Sequence, residues 1–346
     1  MNTSDTSSPY SSSNRGSQEI IYTTGSDDID SGHSGQRHGI FEADYFVEAE
    51  RTYNSSSWVY RLPVDQEEVM RQDRQHYVML SALPGLYRGP VEEILQKEGQ
   101  KRRLLDIGCG TGIWLQEMAE LFPDVDCVGI DITPLQHDAQ FRNCTFMQVH
   151  APSGLRFLGE KSFDVIHIRG MLHSTDEYAE ILSMAYPLLR PHGILLVHEA
   201  QMQLHCAWEG FDIHELSPCH TQMSIHLRAA HQHRGIDTTL FSRMEELLRN
   251  VGFQGDTIDT YYHYRQGCHD DPASEQGQNE AASTIAFLYA TRLIMLEAGV
   301  IDEDQFDQLI VGVSEEVYGR SSGTAGPLGA QGVLTPWGYW WAIKAE

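Results

Sequence analysis

From about residue 101 onward, segments with the apolar pattern of β-strands follow segments with the apolar pattern of α-helices. Short apolar runs, typical of buried strands, are followed by stretches in which apolar residues recur at helical spacing. In residues 103–131 a strand, a glycine turn, a helix and a second strand follow one another. Further strands are predicted at 145–149, 163–168, 194–198, 253–264 and 333–344, and further helices at 178–189, 241–251, 281–298 and 302–318. This alternation predicts an α/β fold with a mostly parallel sheet, helices on both faces and an antiparallel edge.

The rest of the chain is predicted to flank or decorate this sheet. The predicted organisation is a disordered tail (1–39), a helical N-terminal cap (40–100) and the main domain (101–346), with cap or lid insertions near 201–240 and 270–332. The tail is rich in Ser and Gly and poor in apolar residues, so it lacks the means to build a core. Asp65 is a suitable N-cap for a helix in the N-terminal cap. The stretch 201–237 is rich in His, Met and Gln and shows no sharp period.

The charge balance argues against two classes of partner. The 346 residues include 49 acidic and 24 basic side chains, a formal net charge of −25. Nucleic-acid binding depends on cations that neutralise phosphates, and anionic membranes attract basic segments, so neither partner is expected. No stretch is apolar enough to span a bilayer, and the N-terminus lacks the apolar core of a signal peptide. Six scattered cysteines without a C-x-x-C pair are typical of a reducing compartment, which predicts the cytoplasm or the nucleus.

The glycine turn indicates which nucleoside-bearing cofactor the sheet would bind. Its glycines alternate as G-x-G-x-G from Gly108, whereas a dinucleotide fingerprint would place a further glycine at Ile113. Asp106 would repel a pyrophosphate and attract the ammonium group of an amino acid. Asp131, at the end of the next strand, suits a ribose diol. An amino acid joined to a nucleoside is S-adenosylmethionine; the alternatives are an accidental glycine turn and an NAD site with a degenerate fingerprint.

Five segments give the chain a resemblance to a known family. They are Tyr60–His76, Leu104–Trp114, Gly129–Gln136, Ser162–Leu172 and Leu247–Phe253. Together they resemble the fungal LaeA-like class I methyltransferases, which are associated with secondary metabolism. The resemblance reaches from about residue 60 to the C-terminus. It implies a Rossmann-like fold with a mostly parallel seven-stranded sheet and a helical cap, S-adenosylmethionine as cofactor with S-adenosylhomocysteine as product, and no metal.

The matched motifs also imply which residues hold the cofactor. The set is Asp106, Gly108, Cys109, Gly110, Gly112, Asp131, Ile132, His150, Ala151 and Arg169. Asp106 would fix the methionine ammonium indirectly, the glycines would admit the cofactor without a β-carbon clash, and Asp131 would bind the ribose hydroxyls. Arg169 would bind the methionine carboxylate or orient its loop. The family has an acidic pair where this chain has Val149 and His150, so a neutral His150 nitrogen or a backbone group would meet the adenine amino group.

His173 and His76 are the candidate catalytic residues. His173 follows the fourth strand of the sheet, where this class of fold opens toward its acceptor, and histidine suits proton removal near neutral pH. His76 lies in the helical part of the resemblance. His198–Glu199 is a weaker candidate pair. The histidine- and cysteine-rich stretch 205–220 fits no common zinc spacing, so no metal is expected there.

Several functions follow from this interpretation. The first is methyl transfer to an oxygen, nitrogen or sulfur atom of a small fungal metabolite. The second is a regulatory methyltransferase that acts through partner proteins in a complex. A protein methyltransferase and a non-methylating role on the same fold are the remaining alternatives. The expected partner is a small-molecule acceptor, with a regulatory protein as the further candidate.

Overall fold

The computed structural model describes residues 45–55, 57–81, 83–134, 137–266, 275–318 and 332–346. The predicted disordered tail and parts of the 270–332 insertion lie outside the described residues. Residues 43–346 form one compact unit, to which all described elements belong.

The N-terminal cap begins with a β-hairpin instead of a helix. Its strands are β1 (Tyr45–Glu48) and β2 (Arg51–Asn54), which pair antiparallel. Ala49 and Glu50 join them with φ of 48° and 65°, as a two-residue turn with both central residues left-handed requires. The predicted helical cap thus also contains a hairpin that the sequence analysis did not predict. The usual Asn-Gly or Asp-Gly signal for such a turn is absent from the sequence.

Two helices complete the cap, α1 (Gln66–Leu80) and α2 (Val91–Leu95). Asp65 caps α1 as predicted, because its side chain accepts a hydrogen bond from the Glu68 backbone N–H at 3.0 Å. The same carboxylate pairs with Arg51 at 2.8 Å. This ion pair ties the hairpin to the start of α1.

The central sheet carries its parallel strands side by side. Its members are β3 (Arg103–Ile107), β4 (Asp126–Asp131), β5 (Cys144–Gln148), β6 (Phe163–Arg169), β7 (Leu189–Ala200), β8 (His205–Cys206), β9 (Ile258–Gln266) and β10 (Val333–Ile343). The order is β5-β4-β3-β6-β7-β10, and β9 also pairs with β10, as does the two-residue β8. Strands β3 to β7 are parallel, whereas β10 is antiparallel to its neighbours. The predicted fold class, with its antiparallel edge, is confirmed.

Successive residues of each strand pack into separate cores on the two faces of the sheet. The helices are α3 (Ile113–Leu121), α4 (Tyr178–Leu188), α5 (Ile213–Leu216), α6 (Pro218–His233), α7 (Met244–Val251), α8 (Glu275–Ala290), α9 (Arg292–Glu297) and α10 (Glu303–Val317). Leu105 and Ile107 of β3 pack with α4 and α7, whereas Leu104 packs with α2 and α3. Each fully buried side chain of this kind contributes about 1.5–3 kcal/mol. None of the described helices is long and apolar enough to cross a membrane.

A third core joins helices that the sequence pattern did not fully predict. It contains residues of α6, α8, α9 and α10. Residues 201–237 show no sharp period in the sequence, yet α6 occupies 16 of them. Polar His220, Thr221 and His231 are buried on α6 together with apolar Met223 and Leu227. Polar residues at buried positions hide the helical period, which explains why the sequence pattern did not reveal this helix.

Candidate active site

A cavity of about 330 Å³ lies between the carboxyl edge of the sheet and helices α1, α6 and α8. Strands β4 and β6 end at this edge in Asp131 and Arg169, and the glycine turn follows β3. The predicted site residues that line the cavity are Gly108, Cys109, Gly110, Asp131, Ile132, His150, Ala151, Arg169, His173 and His76. The sequence therefore identified much of one wall. It did not identify the opposite wall, which includes His220, Ser224, Leu227, Ser283 and Phe287.

The glycine turn folds back against β4. The backbone N–H groups of Gly108 and Cys109 both donate to the Ile130 carbonyl, at 2.8 and 3.0 Å. Gly108 and Gly110 have φ of +70° and +54°, a backbone conformation that side chains with a β-carbon rarely adopt. A β-carbon on Gly108 would meet Met171, and one on Gly110 would meet the Gln72 side chain. Both neighbours are flexible and line the cavity, so the open backbone faces the space a ligand would use.

Gly112 lies next to a side chain of strand β5. It is not among the residues that line the cavity. A β-carbon there would clash with the ring of Phe146 on β5, and φ is +76°. The missing side chain of Gly112 makes room for a partly buried aromatic ring, and a cofactor role for this glycine stays a prediction.

Helix α1 is fastened to the glycine turn by polar contacts. Asp73 of α1 accepts hydrogen bonds from the Thr111 hydroxyl and from His137 Nε2, both at 2.7 Å. These bonds place Gln72 and His76 of the same helix in the cavity wall. No local pattern indicates Gln72 as a cavity residue, because the glycine turn that it approaches lies about forty residues further along the chain.

Asp131 has the chemistry that a ribose-binding residue needs. Its Oδ2 accepts a hydrogen bond from the Gly110 N–H at 2.9 Å, and its Oδ1 accepts from the Thr133 N–H and hydroxyl, each at 2.9 Å. A carboxylate oxygen can accept two hydrogen bonds, so Oδ2 retains an acceptor position for a ribose hydroxyl. Burial raises the pKa of this carboxyl, opposed by the hydrogen bonds from Thr133 and Gly110. The residues present therefore fit a ribose.

Asp106 lies beneath the turn and does not line the cavity. It is buried, and its Oδ1 is 2.7 Å from His167 Nδ1. The His167 ring stacks on Trp114 with 3.6 Å between ring centroids. Burial lowers the pKa of His167, so a neutral ring donates its Nδ1 proton to the carboxylate. An indirect role of Asp106 toward a cofactor ammonium stays a prediction.

His150 and Ala151 lie at the cavity wall near the end of β5. The His150 side chain is exposed, and its Nδ1 lies 3.2 Å from the Ser153 hydroxyl. An adenine contact at this position stays a prediction.

His76 is not free to act as a base. Its Nδ1 accepts a hydrogen bond from Arg169 Nη1 at 3.1 Å, and its Nε2 lies 2.9 Å from Glu117 Oε2. Burial, with help from the Arg169 charge, lowers the pKa of His76 to about 3. The ring is therefore neutral, its proton sits on Nε2, and its lone pair is already used by Arg169. The catalytic role predicted for His76 does not fit this geometry.

His173 has the free nitrogen that His76 lacks. It lines the cavity beside the rings of His231 and Phe287, at 5.6 and 6.0 Å between centroids. Burial lowers its pKa to about 4, opposed by a hydrogen bond to the Ala200 backbone. Its Nδ1 is buried and makes no hydrogen bond to any described residue. A neutral histidine with an unused ring nitrogen in a cavity wall is available to an acceptor group.

Glu199, part of the weaker candidate pair, holds a loop and does not line the cavity. It is buried and accepts hydrogen bonds from the N–H groups of Met171 and Leu172 at 2.9 and 3.2 Å, and from the Tyr178 hydroxyl at 3.0 Å. Its neighbour His198 contacts His263 instead, at 3.1 Å between Nε2 atoms. Glu199 therefore fixes the turn that carries His173, and no acid–base pair forms at these two positions.

Replacing Glu199 with Gln is expected to change how stability depends on pH. Burial raises the pKa of Glu199 from 4.5 to about 7, so the folded state binds this proton more tightly than the unfolded chain. The resulting stabilisation is fully present below about pH 4.5 and is lost as the pH rises through 7, a change on the order of 3 kcal/mol. Urea unfolding of both proteins from pH 4.5 to 8 measures it, with Glu177→Gln as the exposed control. Parallel stability curves for the wild type and Glu199→Gln would contradict this assignment.

The strand order and the site define the class I methyltransferase fold: a glycine turn after the central strand β3, an acid at the end of the neighbouring β4, and a cavity above both. The chain belongs to the methyltransferase domain family, which matches residues 79–258, just over half of its length.

Curated relatives share the middle of the chain. The secondary metabolism regulator laeA of Coprinopsis cinerea is 32% identical over 173 residues, 48% of this chain and 42% of that protein. The protein-methionine methyltransferase laeA of Emericella nidulans is 32% identical over 142 residues, 41% of this chain and 37% of that protein. The chain thus spans less than half the length of either relative. The resemblance to LaeA-like methyltransferases is confirmed.

Among solved structures, the Haemonchus contortus phosphoethanolamine N-methyltransferase 2 in complex with S-adenosyl-L-methionine has a TM-score of 0.43 and 16% identity. The match covers 85% of this chain and 62% of that one.

Proposed function

We propose that the protein transfers a methyl group from S-adenosylmethionine to an oxygen, nitrogen or sulfur atom of a small metabolite. The observation that carries this proposal is the single cavity shared by the glycine turn, Asp131 and His173. A sheet edge suited to a nucleoside and an unused histidine nitrogen face the same cavity. One shared cavity suits a reaction in which the nucleophile must be held in line with the methyl group.

The cofactor, when bound, supplies the electrophilic methyl group. The chain's own residues would hold it: Gly108 and Gly110 leave the backbone open, and Asp131 Oδ2 accepts from a ribose hydroxyl. Ile132 and His150 lie along the wall beyond Asp131 and suit contact with the base. The site fits S-adenosylmethionine because Asp131 can accept a further hydrogen bond and because Gly108 and Gly110 adopt left-handed backbone conformations.

His173 would accept the acceptor's proton at Nδ1. An oxygen or nitrogen that gains a methyl group becomes far more acidic, so a weak base is sufficient to take its proton. With a pKa of about 4, His173 is neutral at physiological pH and ready to accept. Around it the wall carries apolar Leu227 and Phe287 and hydroxyl-bearing Ser224 and Ser283. This lining supports a partly apolar acceptor with a few hydrogen-bonding groups.

The second candidate is methylation of a protein methionine, favoured by the similarity to the protein-methionine methyltransferase laeA of Emericella nidulans. A thioether carries no proton, so this reaction needs no base. The role of His173 therefore separates the two candidates, together with the size of the labelled product.

The test uses the purified full chain with methyl-labelled S-adenosylmethionine and either a metabolite extract or a protein extract. Label in a small organic product heavier by one methyl group supports the first candidate, and label in protein methionine supports the second.

For a small acceptor, we expect His173→Ala to lower kcat about 10²–10⁴-fold while S-adenosylhomocysteine affinity is kept. His233→Ala, which removes an exposed histidine at the end of α6, is the matched control. Because the pKa of His173 lies near 4, turnover should not vary with this group between pH 6 and 8; unchanged turnover in His173→Ala would remove it as the base.

A further inference from the structure

The helices opposite the sheet edge present a wall without free charge to the cavity. Among the described residues of α1, α6 and α8 that line it, Arg71 is the only arginine or lysine, and none is a carboxylate. Both oxygens of the buried Glu68 accept hydrogen bonds from Arg71, at 2.8 and 2.7 Å, and Gln75 Oε1 accepts a third at 2.6 Å. The charge of Arg71 is therefore cancelled within α1. An anionic acceptor would leave water without meeting a free cation on this wall, which is strongly unfavourable.

The histidines on the acceptor side of the cavity are neutral as well. His220 of α6 is buried, and burial lowers its pKa to about 4, opposed by the nearby Glu316 carboxylate. Burial also lowers the pKa of His173 to about 4. At physiological pH each ring therefore carries one N–H and one lone pair. Groups of this kind suit the hydroxyl or carbonyl oxygen of an uncharged molecule.

His220 and Ser283 are buried side chains that line the cavity and make no side-chain hydrogen bond within the described part of the chain. They are 5% and 3% exposed. Glu316 accepts hydrogen bonds from the His220 backbone N–H at 3.0 Å and from the Ser217 hydroxyl at 2.6 Å. These bonds fix the start of α6 and leave the His220 ring unused. A buried polar group without a partner costs about 1–3 kcal/mol, so both side chains are prepared for a ligand.

The register of α6 separates His220 from the part of the cavity that holds His173. Along α6, His220, Ser224, Leu227 and His231 recur at spacings of four, three and four residues, so they share one face of the helix. His231 lies beside His173, at 5.6 Å between ring centroids. With a rise of 1.5 Å per residue, the stretch from His220 to His231 spans about 16 Å. A molecule that lies along this face with one end at His173 would bring its other end toward His220.

We propose that the acceptor is an uncharged, elongated molecule that carries a second hydroxyl or carbonyl group far from the methylated atom, and that His220 binds this second group. Ser283, one helical turn from Phe287, offers its hydroxyl to the same molecule from α8. The proposal rests on the proposed methylation of a small molecule and names the chemical class of the acceptor. Carboxylates and phosphate esters are rejected because the helical wall supplies no free cation to pair with them.

The test uses three rigid phenols that differ only at the end remote from one hydroxyl group. They are 4-hydroxybiphenyl, 4,4′-dihydroxybiphenyl and 4′-hydroxybiphenyl-4-carboxylate. Calorimetry measures their binding to the full chain saturated with S-adenosylhomocysteine. We expect the dihydroxy compound to bind about 3–10-fold more tightly than the monohydroxy compound, as one added hydrogen bond implies. The carboxylate should bind at least about tenfold more weakly than the dihydroxy compound, because its charge would be buried without a partner.

Four variants assign these preferences to residues. His220→Phe keeps a ring and removes both nitrogens, so it should abolish the preference for the dihydroxy compound and leave the affinity for the monohydroxy compound unchanged. His220→Gln keeps a donor and an acceptor and should retain part of that preference. Ser224→Arg adds a cation one turn from His220 and should make the carboxylate bind more tightly than the monohydroxy compound. His233→Phe, at an exposed position of the same helix, is the matched control and should change none of the affinities.

The outcomes separate this inference from the proposed function. Circular dichroism checks that each variant is folded. Equal affinities of the wild type for the carboxylate and the dihydroxy compound would overturn the inference. Binding of S-adenosylhomocysteine without binding of any phenol would do the same, as would equal losses for both uncharged phenols in His220→Phe. A wild-type chain that does not bind S-adenosylhomocysteine would instead overturn the proposed function.

Discussion

Replacing Asp131 with alanine is expected to lower the affinity for S-adenosylhomocysteine about 10²–10³-fold. Hydrogen bonds to a charged group contribute about 1.5–3 kcal/mol each, and the ribose would lose its acceptor. The Gly110 N–H and both Thr133 donors would lose the carboxylate that now binds them, so the glycine turn would also lose its fixed shape. Calorimetric titration of the folded variant measures the effect.

Two comparisons make this result specific. Thr133→Val removes one donor to Asp131 and keeps the carboxylate, so the affinity should fall less than about tenfold. Adenosine, which has the ribose but no amino-acid chain, should bind Asp131→Ala poorly and should bind Arg169→Met as it binds the wild type. If Asp131→Ala retains the affinity for S-adenosylhomocysteine within threefold, the ribose does not bind there.

Replacing Gly112 with alanine is expected to destabilise the fold by about 2–5 kcal/mol. A left-handed conformation costs a residue with a β-carbon about 1–2 kcal/mol, and forcing extra volume into a packed site costs about 1–3 kcal/mol more. The β-carbon would meet the ring of Phe146 on β5, which is partly buried and packs against the core. Urea unfolding monitored by circular dichroism measures the loss.

Gly110→Ala is the matched control for this substitution. It has the same kind of backbone conformation, with φ of +54°, but its β-carbon would meet the end of the flexible Gln72 side chain. We expect a smaller loss of stability, about 1–2 kcal/mol, and weaker S-adenosylhomocysteine binding. If both variants lose the same stability, Gly112 is not distinguished by the Phe146 ring, and this packing role fails.

The strands and the glycine turn that would bind the cofactor could be predicted because the sequence signals for them come from neighbouring residues. The strand, turn, helix and strand between residues 103 and 131 are contiguous, and their periods and turn residues are the signals that sequence patterns carry best. Asp131 and Arg169 were placed correctly at the cavity edge because parallel strands end on the same side of a sheet. The role of Gly112 could not be predicted, since Phe146 lies on another strand and no local pattern reveals its ring.

The helical wall of the cavity, which would face the acceptor, could not be predicted because its residues are distant from one another in the sequence. It is assembled from helices α1, α6 and α8, which are far apart in the chain. The residues of α6 that face the interior are partly polar, so burial does not follow hydrophobicity there. His76 was correctly placed near the cavity, but its chemistry depended on Arg169 and Glu117, and only the folded structure brings those two side chains to the same ring.

The two walls of the cavity, the sheet edge and the helices opposite it, differ in how much of each lies within the matched domain, and this difference bears on acceptor specificity. The methyltransferase domain match ends at residue 258 and begins at 79, so α8 and nearly all of α1 lie beyond it. The sheet edge that would carry the methyl donor lies within the matched domain, while α8, which forms part of the opposite cavity wall, lies outside it. Mutations in α8 would alter that wall without replacing Asp131 or the residues of the glycine turn. Exchanging the α8 segment between two relatives is therefore a direct route to a new acceptor with the old cofactor affinity.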